Sequence, residues 1–338
     1  MKRLFRFISL PILAVSLFLI FCINVSTGSV SIPFVSVLST LFDLPTDSIV
    51  QEIILNFRFP KAATCVLAGA GLGAGGLMMQ AFFRNPLAGP DVLGLSSGAS
   101  LLVAFTILAQ ATLPTIGNSP WSVAVAATLG ALLVFILIIL ASQKLKDNSS
   151  LLIVGMMLAA FTSSMVSVLQ FLSRADDLQS FMIWSLGSVG STNWAEIRIL
   201  FLVIFVGLLV ASFCVKPLNS WFLGENYGKS IGINLKKAKF WIVFSTSLMV
   251  GTITAFCGPI AFVGLAVPHL VKLVIPTNDH KILLPATALG GSILLLLCDT
   301  LAQLPGSAQV LPLNAVTSFI GAPVLIWVVI RNKKKFMI

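Results

Sequence analysis

Chemistry inside apolar sequence needs ionisable or nucleophilic side chains, and here they are few. Asp299 directly follows Cys298 at the end of one apolar run, and His269 follows Pro268 near the end of another. Ionisable residues at such positions are functional candidates by default. No pair of acids, no HExxH and no GxSxG accompanies them. An intramembrane hydrolase would lack its nucleophile and metal site, and an ion-coupled carrier its buried carboxylates. His269 reads more simply as a hydrogen-bonded or loop-exposed histidine than as a catalytic one. Cys22, Cys65, Cys214, Cys257 and Cys298 form no CxxC pair, so they read as small packing residues rather than a disulfide or metal set. No cofactor or metal site is expected.

One stretch comes close to a nucleotide site. Gly224 through Ser230 approximates a phosphate loop, but three residues separate its glycines where the motif needs four. No buried strand precedes it. The segment reads instead as a short amphipathic helix that offers Trp221, Phe222 and Leu223 to a partner, and nucleotide becomes that partner's business.

These residues lie in a chain of 338 that is 57% hydrophobic and 9% charged. Soluble domains average about 25% charged, so a water-soluble fold, a disordered chain and a disulfide framework are all excluded. The net charge of +10 does not indicate nucleic acid, because Lys and Arg punctuate apolar runs instead of gathering on a wet face. Charge-free stretches cover 7–42, 62–83, 92–143, 148–173, 178–195, 199–215, 240–271, 282–298 and 300–330. A spanning helix needs roughly 20 apolar residues. The 52-residue run at 92–143 must therefore turn, at Pro114, Gly117, Asn118 and Pro120. The 32-residue run at 240–271 breaks at Cys257-Gly258-Pro259. The expectation is an all-α polytopic membrane protein of about ten transmembrane helices, a single domain over 1–338. The 178–195 segment, with Trp184, Gly187, Gly190 and Ser191, reads as a broken or re-entrant piece.

Orientation follows from the basic residues. With the N-terminus in the cytoplasm, 17 of the 21 Lys and Arg residues fall on the cytoplasmic side, leaving Arg58, Lys61, Arg174 and Arg198 outside. Both termini are then cytoplasmic. The first span is longer than the 7–15-residue apolar core of a cleavable signal. Five glycines between Gly69 and Gly76 allow close helix packing. Ala88-Gly89-Pro90-Asp91-Val92-Leu93-Gly94-Leu95 is echoed weakly by Cys257-Gly258-Pro259-Ile260-Ala261-Phe262-Val263-Gly264-Leu265. The first copy would lie inside and the second outside. Such an echo is compatible with an inverted five-helix repeat, and equally with coincidence. The turn from Arg84 to Asp91 is either a shaped cytoplasmic element or an ordinary tight loop.

Several ordered motifs now carry a resemblance. Arg84-Asn85-Pro86-Leu87-Ala88-x-Pro90 with Gly94-x-Ser96-Ser97-Gly98-Ala99 resembles a signature of the iron-siderophore and cobalamin ABC importer permeases. Gly258-Pro259-Ile260-x-Phe262-Val263-Gly264-Leu265-x-Val267-Pro268-His269 is similar to its second signature. Asp279-His280, Leu284-Pro285, Asp299-Thr300-Leu301-Ala302 and Gly321-Ala322-Pro323 continue the pattern in order, so the resemblance runs from about Arg58 to Pro323. It implies a ten-helix permease in the bacterial cytoplasmic membrane. Two permease copies, identical or not, would form the path in the lipid bilayer. Two cytoplasmic ABC ATPases would power it, and an extracytoplasmic substrate-binding protein would deliver cargo.

The resemblance also implies roles for individual residues. The loop at about 216–239, centred on Trp221, Phe222, Leu223, Gly224, Glu225, Ser230 and Gly232, would couple to the ATPase. Asn85 and Leu87 would form one cytoplasmic gate, and Asn148 and Ser149 a second. Arg58 and Lys61 would meet acidic residues of the binding protein. The implied cargo is a metal chelate, a ferric siderophore by family frequency, with haem or cobalamin as alternatives and an ATPase-independent secondary carrier as the rival mechanism. A large chelate needs a path wall without fixed charge. Thr162, Ser163, Ser164 and Ser167, with Ser188 and Ser191, would supply neutral lining unless their hydroxyls bond back to their own helix. The sequence departs from the family pattern at Tyr227, where a small residue is usual, and at Asn148, where the family's cobalamin member carries a hydroxyl residue. Gln303 stands where the family commonly has Arg, and Val310-Leu311-Pro312-Leu313-Asn314 stands for Glu-Leu-Pro-x-Gly. The last two departures bear on docking.

Overall fold

The computed structural model describes residues 2–28, 30, 32–42, 44, 47–108, 120–145, 148–223, 228, 230–303 and 310–331, and every regular element among them is helical. Helix α1 (Lys2–Ser26) is followed by the short α2 (Phe34–Leu41), which divides the first apolar run. Asp47 caps α3 (Ser48–Ile53) by accepting from the Ile49 amide, and a π-helical turn carries the chain into α4 (Phe59–Phe83). Then come α5 (Leu95–Leu108), α6 (Pro120–Lys144), α7 (Asn148–Leu172), α8 (Ala175–Ser185), α9 (Trp194–Phe213) and α10 (Val215–Leu223). The chain finishes with α11 (Leu235–Cys257), α12 (Val263–Val274), α13 (His280–Ala302) and α14 (Leu313–Arg331).

Among the described residues, seven helical stretches are long and apolar enough to cross a bilayer, and three shorter apolar helices, α5, α12 and the apolar part of α14, stand beside them. The expected break at Cys257-Gly258-Pro259 is present: α11 stops at Cys257, and Gly258 turns with φ of 71°. The turn expected at 114–120 lies outside the described residues, apart from Pro120, which opens α6. The 178–195 segment does not cross. It is the 11-residue α8 followed by irregular chain, about 16 Å of helix at 1.5 Å per residue.

Glycine places α4 at the centre. A Cβ at Gly69 would collide with the Gly291 carbonyl, one at Gly73 with the Thr287 carbonyl, and one at Gly76 with the Gly264 carbonyl. Without side chains at these positions, α4 lies backbone to backbone against α13 and the start of α12. The span containing α4 is 78% buried within the chain, whereas those of α1 and α7 are 22% buried. Their exposed Phe18, Phe161 and Phe171 suit a lipid or subunit neighbour. All five cysteines are buried and unpaired, as packing residues should be.

One expectation is corrected. The two echoed Gly-Pro segments do not sit apart on opposite faces. A Cβ at Gly264 would lie 2.7 Å from Pro90 Cδ, and one at Gly89 2.8 Å from Leu265 Cγ. Helices α5 and α12, of 14 and 12 residues, start inside the bundle, so the segments preceding them enter it and touch.

Candidate functional site

Polar groups collect at the two ends of α4 and α13. At the end shared by the C-terminus of α1, the N-terminus of α4 and the C-terminus of α13, Asp299 is 1% exposed. Its Oδ1 pairs with Lys61 Nζ at 3.0 Å, and its Oδ2 accepts from Asn24 Nδ2 at 2.9 Å and Gln303 Nε2 at 2.6 Å. A buried carboxylate is tolerable only with such compensation. Gln303 also accepts from Arg58 Nη1 at 3.1 Å, and Arg58 donates further to the Thr27 and Val30 carbonyls. The amide thus bridges a cation and an anion, which the family's arginine, having no acceptor, could not do. Beside the cluster is a cavity of about 660 Å³ bordered by Arg58, Lys61, Asp299 and Gln303 and, across from them, Ser188 and Ser191. Two groups of residues singled out separately in the sequence therefore share one cavity.

At the opposite end, α4 finishes in the turn that carries the first gate pair. Arg84 is left-handed (φ 48°), and Asn85 Oδ1 accepts from the Leu87 amide at 2.9 Å. Leu87 is exposed, and the Pro86 carbonyl bonds His269 Nε2 at 2.8 Å. His269 is accordingly a satisfied histidine that ties the two signature segments together. Ser149 is exposed at the start of α7, and the Asn148 side chain lies outside the described residues. What rests on α7 is the 3₁₀ turn Pro90–Leu93 with Gly94, where a Cβ at Gly94 would sit 3.1 Å from the Gly155 carbonyl. In that turn Asp91 accepts from Ser96 Oγ at 2.7 Å.

The expected coupling segment begins with α10. Trp221 is not offered to a partner: it is 1% exposed, with its ring 5.5 Å from that of Phe82 at the end of α4 and Lys239 Nζ 6.0 Å from its centre. An amphipathic helix on a protein surface turns its largest apolar group inward, so Trp221 fastens the segment to α4. Gly224 and Glu225, together with Tyr227, lie outside the described residues, as do the Phe222 and Leu223 side chains. Ser230 and Gly232 follow, the latter left-handed at φ 81°.

One further tie joins distant segments. Asn219 of α10 donates from Nδ2 to Asp279 Oδ1 at 2.8 Å, and its Oδ1 accepts from the His280 amide at 2.9 Å and from His280 Nδ1 at 2.6 Å. Asp279 caps α13 by accepting from the Lys281 amide at 3.0 Å. One asparagine thereby joins α10 to the first turn of α13. The only signal available was the Asp279-His280 motif, and nothing in it points to Asn219. Alongside, Arg84, Lys272 and His280 border a cavity of about 260 Å³.

Burial alone would raise the Asp279 carboxyl. Donation by Asn219 and the Lys281 amide, with the nearby Lys281 charge, outweighs it and holds the group below its usual range. A depressed carboxyl stabilises the fold above its unfolded value and loses that contribution as pH falls through its folded value. Asp279→Ala is expected to cost about 1 kcal/mol at neutral pH, as lost helix caps do. In melting curves of the purified protein, the gap between wild type and variant should shrink below about pH 3.9, the usual aspartate value.

The candidate lining residues divide. Thr162 is buried and donates to the Leu158 carbonyl at 2.9 Å, while the exposed Ser164 and Ser167 donate to Ala160 and Ser163 at 3.0 Å each. Back-bonding thus uses the hydrogens of these three and leaves their oxygens as acceptors. Ser163 is exposed on the same helix, and Ser188 and Ser191 are exposed at the cavity near Lys61.

The FecCD transport family matches residues 16–331. A hemin transport system permease protein of Yersinia pestis is 33% identical over 327 residues, covering 96% of this chain and 97% of that one. A vitamin B12 import system permease protein of Citrobacter koseri is 34% identical over 285 residues, 84% of each chain. Among solved structures, an inward-facing conformation of a metal-chelate type ABC transporter superposes with a TM-score of 0.84 at 28% identity, covering 95% of this chain and 98% of the other.

Proposed function

Since the chain belongs to the FecCD transport family and is thus the multi-pass permease of an inner-membrane ABC importer of the metal-chelate type, not itself an enzyme, we propose that it carries a ferric siderophore. Haem is the second reading, favoured by the hemin permease that matches this chain over nearly its whole length. The permease domain takes in residues 1–338 and crosses the bilayer about ten times, the three shorter apolar helices included, with both termini cytoplasmic. The inverted five-helix repeat rests on the echo between the two Gly-Pro segments alone. Two permease copies flank the path. Ser163, Ser164 and Ser167, with Ser188 and Ser191, give it a neutral wall.

A binding protein docks beside Arg58 and Lys61, and two ATPases engage the segment that runs from Trp221 to Gly232. ATP binding displaces this segment, and α13, joined to it through Asn219, moves with it. The gate pairs at Asn85 and Leu87 and at Asn148 and Ser149 then open in alternation with the outer mouth. The observation that carries this reading is the Asn219 clamp, which links the ATPase-facing helix to a helix running the full depth of the bundle.

The cargo is tested in proteoliposomes holding permease, ATPase and binding protein, supplied in turn with labelled ferric hydroxamate, haemin and cobalamin. ATP-driven uptake of the ferric hydroxamate at least tenfold above the other two is expected. Uptake of haemin in its place establishes the second reading, and uptake of cobalamin alone overturns both.

A further inference from the structure

The outer charged cluster has a property that docking alone does not require. Lys61, the cation assigned to the binding protein, already has an anion of its own. Asp299 holds it at 3.0 Å, and the pair is mostly buried, at 17% and 2% side-chain exposure. An incoming acidic side chain cannot use Lys61 at full strength while that pair persists. Two features make the pair exchangeable. The cavity of about 660 Å³ borders both partners, so a second carboxylate can reach Lys61 from the open side. Asp299, if it lost Lys61, would not be orphaned, because Asn24 Nδ2 and Gln303 Nε2 both remain on its other oxygen. Removing one member of a buried pair is costly chiefly when the other is left bare. Here the remaining carboxylate keeps two donors.

We propose that Asp299 is the resident competitor for the acidic side chain of the binding protein. In the undocked permease it holds Lys61. Docking transfers Lys61 to the incoming carboxylate and leaves Asp299 bonded to Asn24 and Gln303. The exchange makes docking weaker than the two cations alone would give, which favours release after each delivery. It also reaches further than the surface. Asp299 lies in the last turn of α13, and α13 begins at the Asn219 clamp, so a change of partner at one end acts on the helix that the coupling segment holds at the other. Gln303 sets the strength of the competition. Being neutral, it cannot satisfy Asp299 as an arginine would, and it leaves that role to Lys61.

This inference rests on the docking role of Arg58 and Lys61 proposed above. The test measures the affinity of the importer's own binding protein for the full permease–ATPase complex in nanodiscs. Asp299→Asn, which keeps the side-chain shape and removes the charge, is expected to tighten docking at least about tenfold, the low end for close charge pairs across interfaces. Gln303→Arg gives Asp299 a cation of its own, so it too should tighten docking, and it serves if Asp299→Asn fails to assemble. Neither gain should survive in a Lys61→Gln background, which separates release of Lys61 from simple addition of charge. If Lys61→Gln weakens docking but neither variant tightens it, the competition is refuted and the docking role stands. If Lys61→Gln leaves docking unchanged, the docking role itself fails. Tightening that persists without Lys61 also overturns the proposal, because the gain would then arise elsewhere.

Discussion

Gly291→Leu is expected to abolish assembly of the helical bundle. A Cβ at this position would overlap the Gly69 carbonyl oxygen and crowd the Cα of Gly73, and both are backbone atoms of α4 with no side chain to swing aside. Overpacking in a core ordinarily costs 1–3 kcal/mol; here a whole isobutyl group must separate two helices that touch along their backbones. The cost should exceed that range and take most of the stability of a typical fold, roughly 5–15 kcal/mol. Size-exclusion profiles of the detergent-solubilised protein check the outcome: the variant should aggregate while wild type elutes as one species. Gly75→Ala is the matched control. Its new methyl would meet nothing closer than Thr246 Cγ2 at 3.4 Å, an ordinary contact, so the melting temperature should stay within a few degrees.

Asn219→Leu should uncouple transport from ATP hydrolysis. The substitution removes the three hydrogen bonds that join α10 to Asp279 and His280. It leaves the Asp279 carboxylate capping α13 through the Lys281 amide, and Trp221 still packed on Phe82. The ATPases should therefore bind and hydrolyse ATP, while displacement of α10 no longer reaches α13. Each of these part-buried bonds is worth about 0.5–1.5 kcal/mol, so losing all three makes the tie weaker than the motion it must carry. The expected result is a fall of at least about tenfold in chelate moved per ATP hydrolysed, the effect of roughly one such bond on an equilibrium. Hydrolysis counted against labelled uptake in the same vesicles gives the ratio directly.

Much of this architecture is written in local sequence. Gly258 and Pro259 stop α11 because neither continues a helix there, and the glycine run from Gly69 to Gly76 marks the helix that others approach most closely. Pairings between distant segments are not local. Nothing near Asn219 announces that its amide meets an N-cap 60 residues away. Nothing near Lys61 indicates that Asp299, the acid between the last two charge-free runs, is its partner. Charge counting places Lys61 and Arg58 on one side of the membrane, but it does not distinguish a free surface cation from one already held. Trp221 shows the same limit on a smaller scale. An amphipathic pattern gives a helix an apolar face, but not whether that face meets a partner or its own chain, and here Phe82 occupies it. The hydroxyls of α7 were readable as two alternatives because both outcomes, lining and back-bonding, use the same residues; the observed bonds to Leu158, Ala160 and Ser163 engage their hydrogens.

On the proposed mechanism, cargo crosses through this permease only when ATP is hydrolysed by a partner joined to its α10 segment. Its most direct test is uptake of a labelled metal chelate into proteoliposomes holding the permease with its ATPase and binding protein. Measurements are made with and without ATP, and with ionophores that collapse all ion gradients. Uptake that requires ATP, vanishes when the ATPase is omitted and is untouched by the ionophores is the predicted result. Uptake by the permease alone, or uptake abolished by the ionophores while hydrolysis continues, would contradict it.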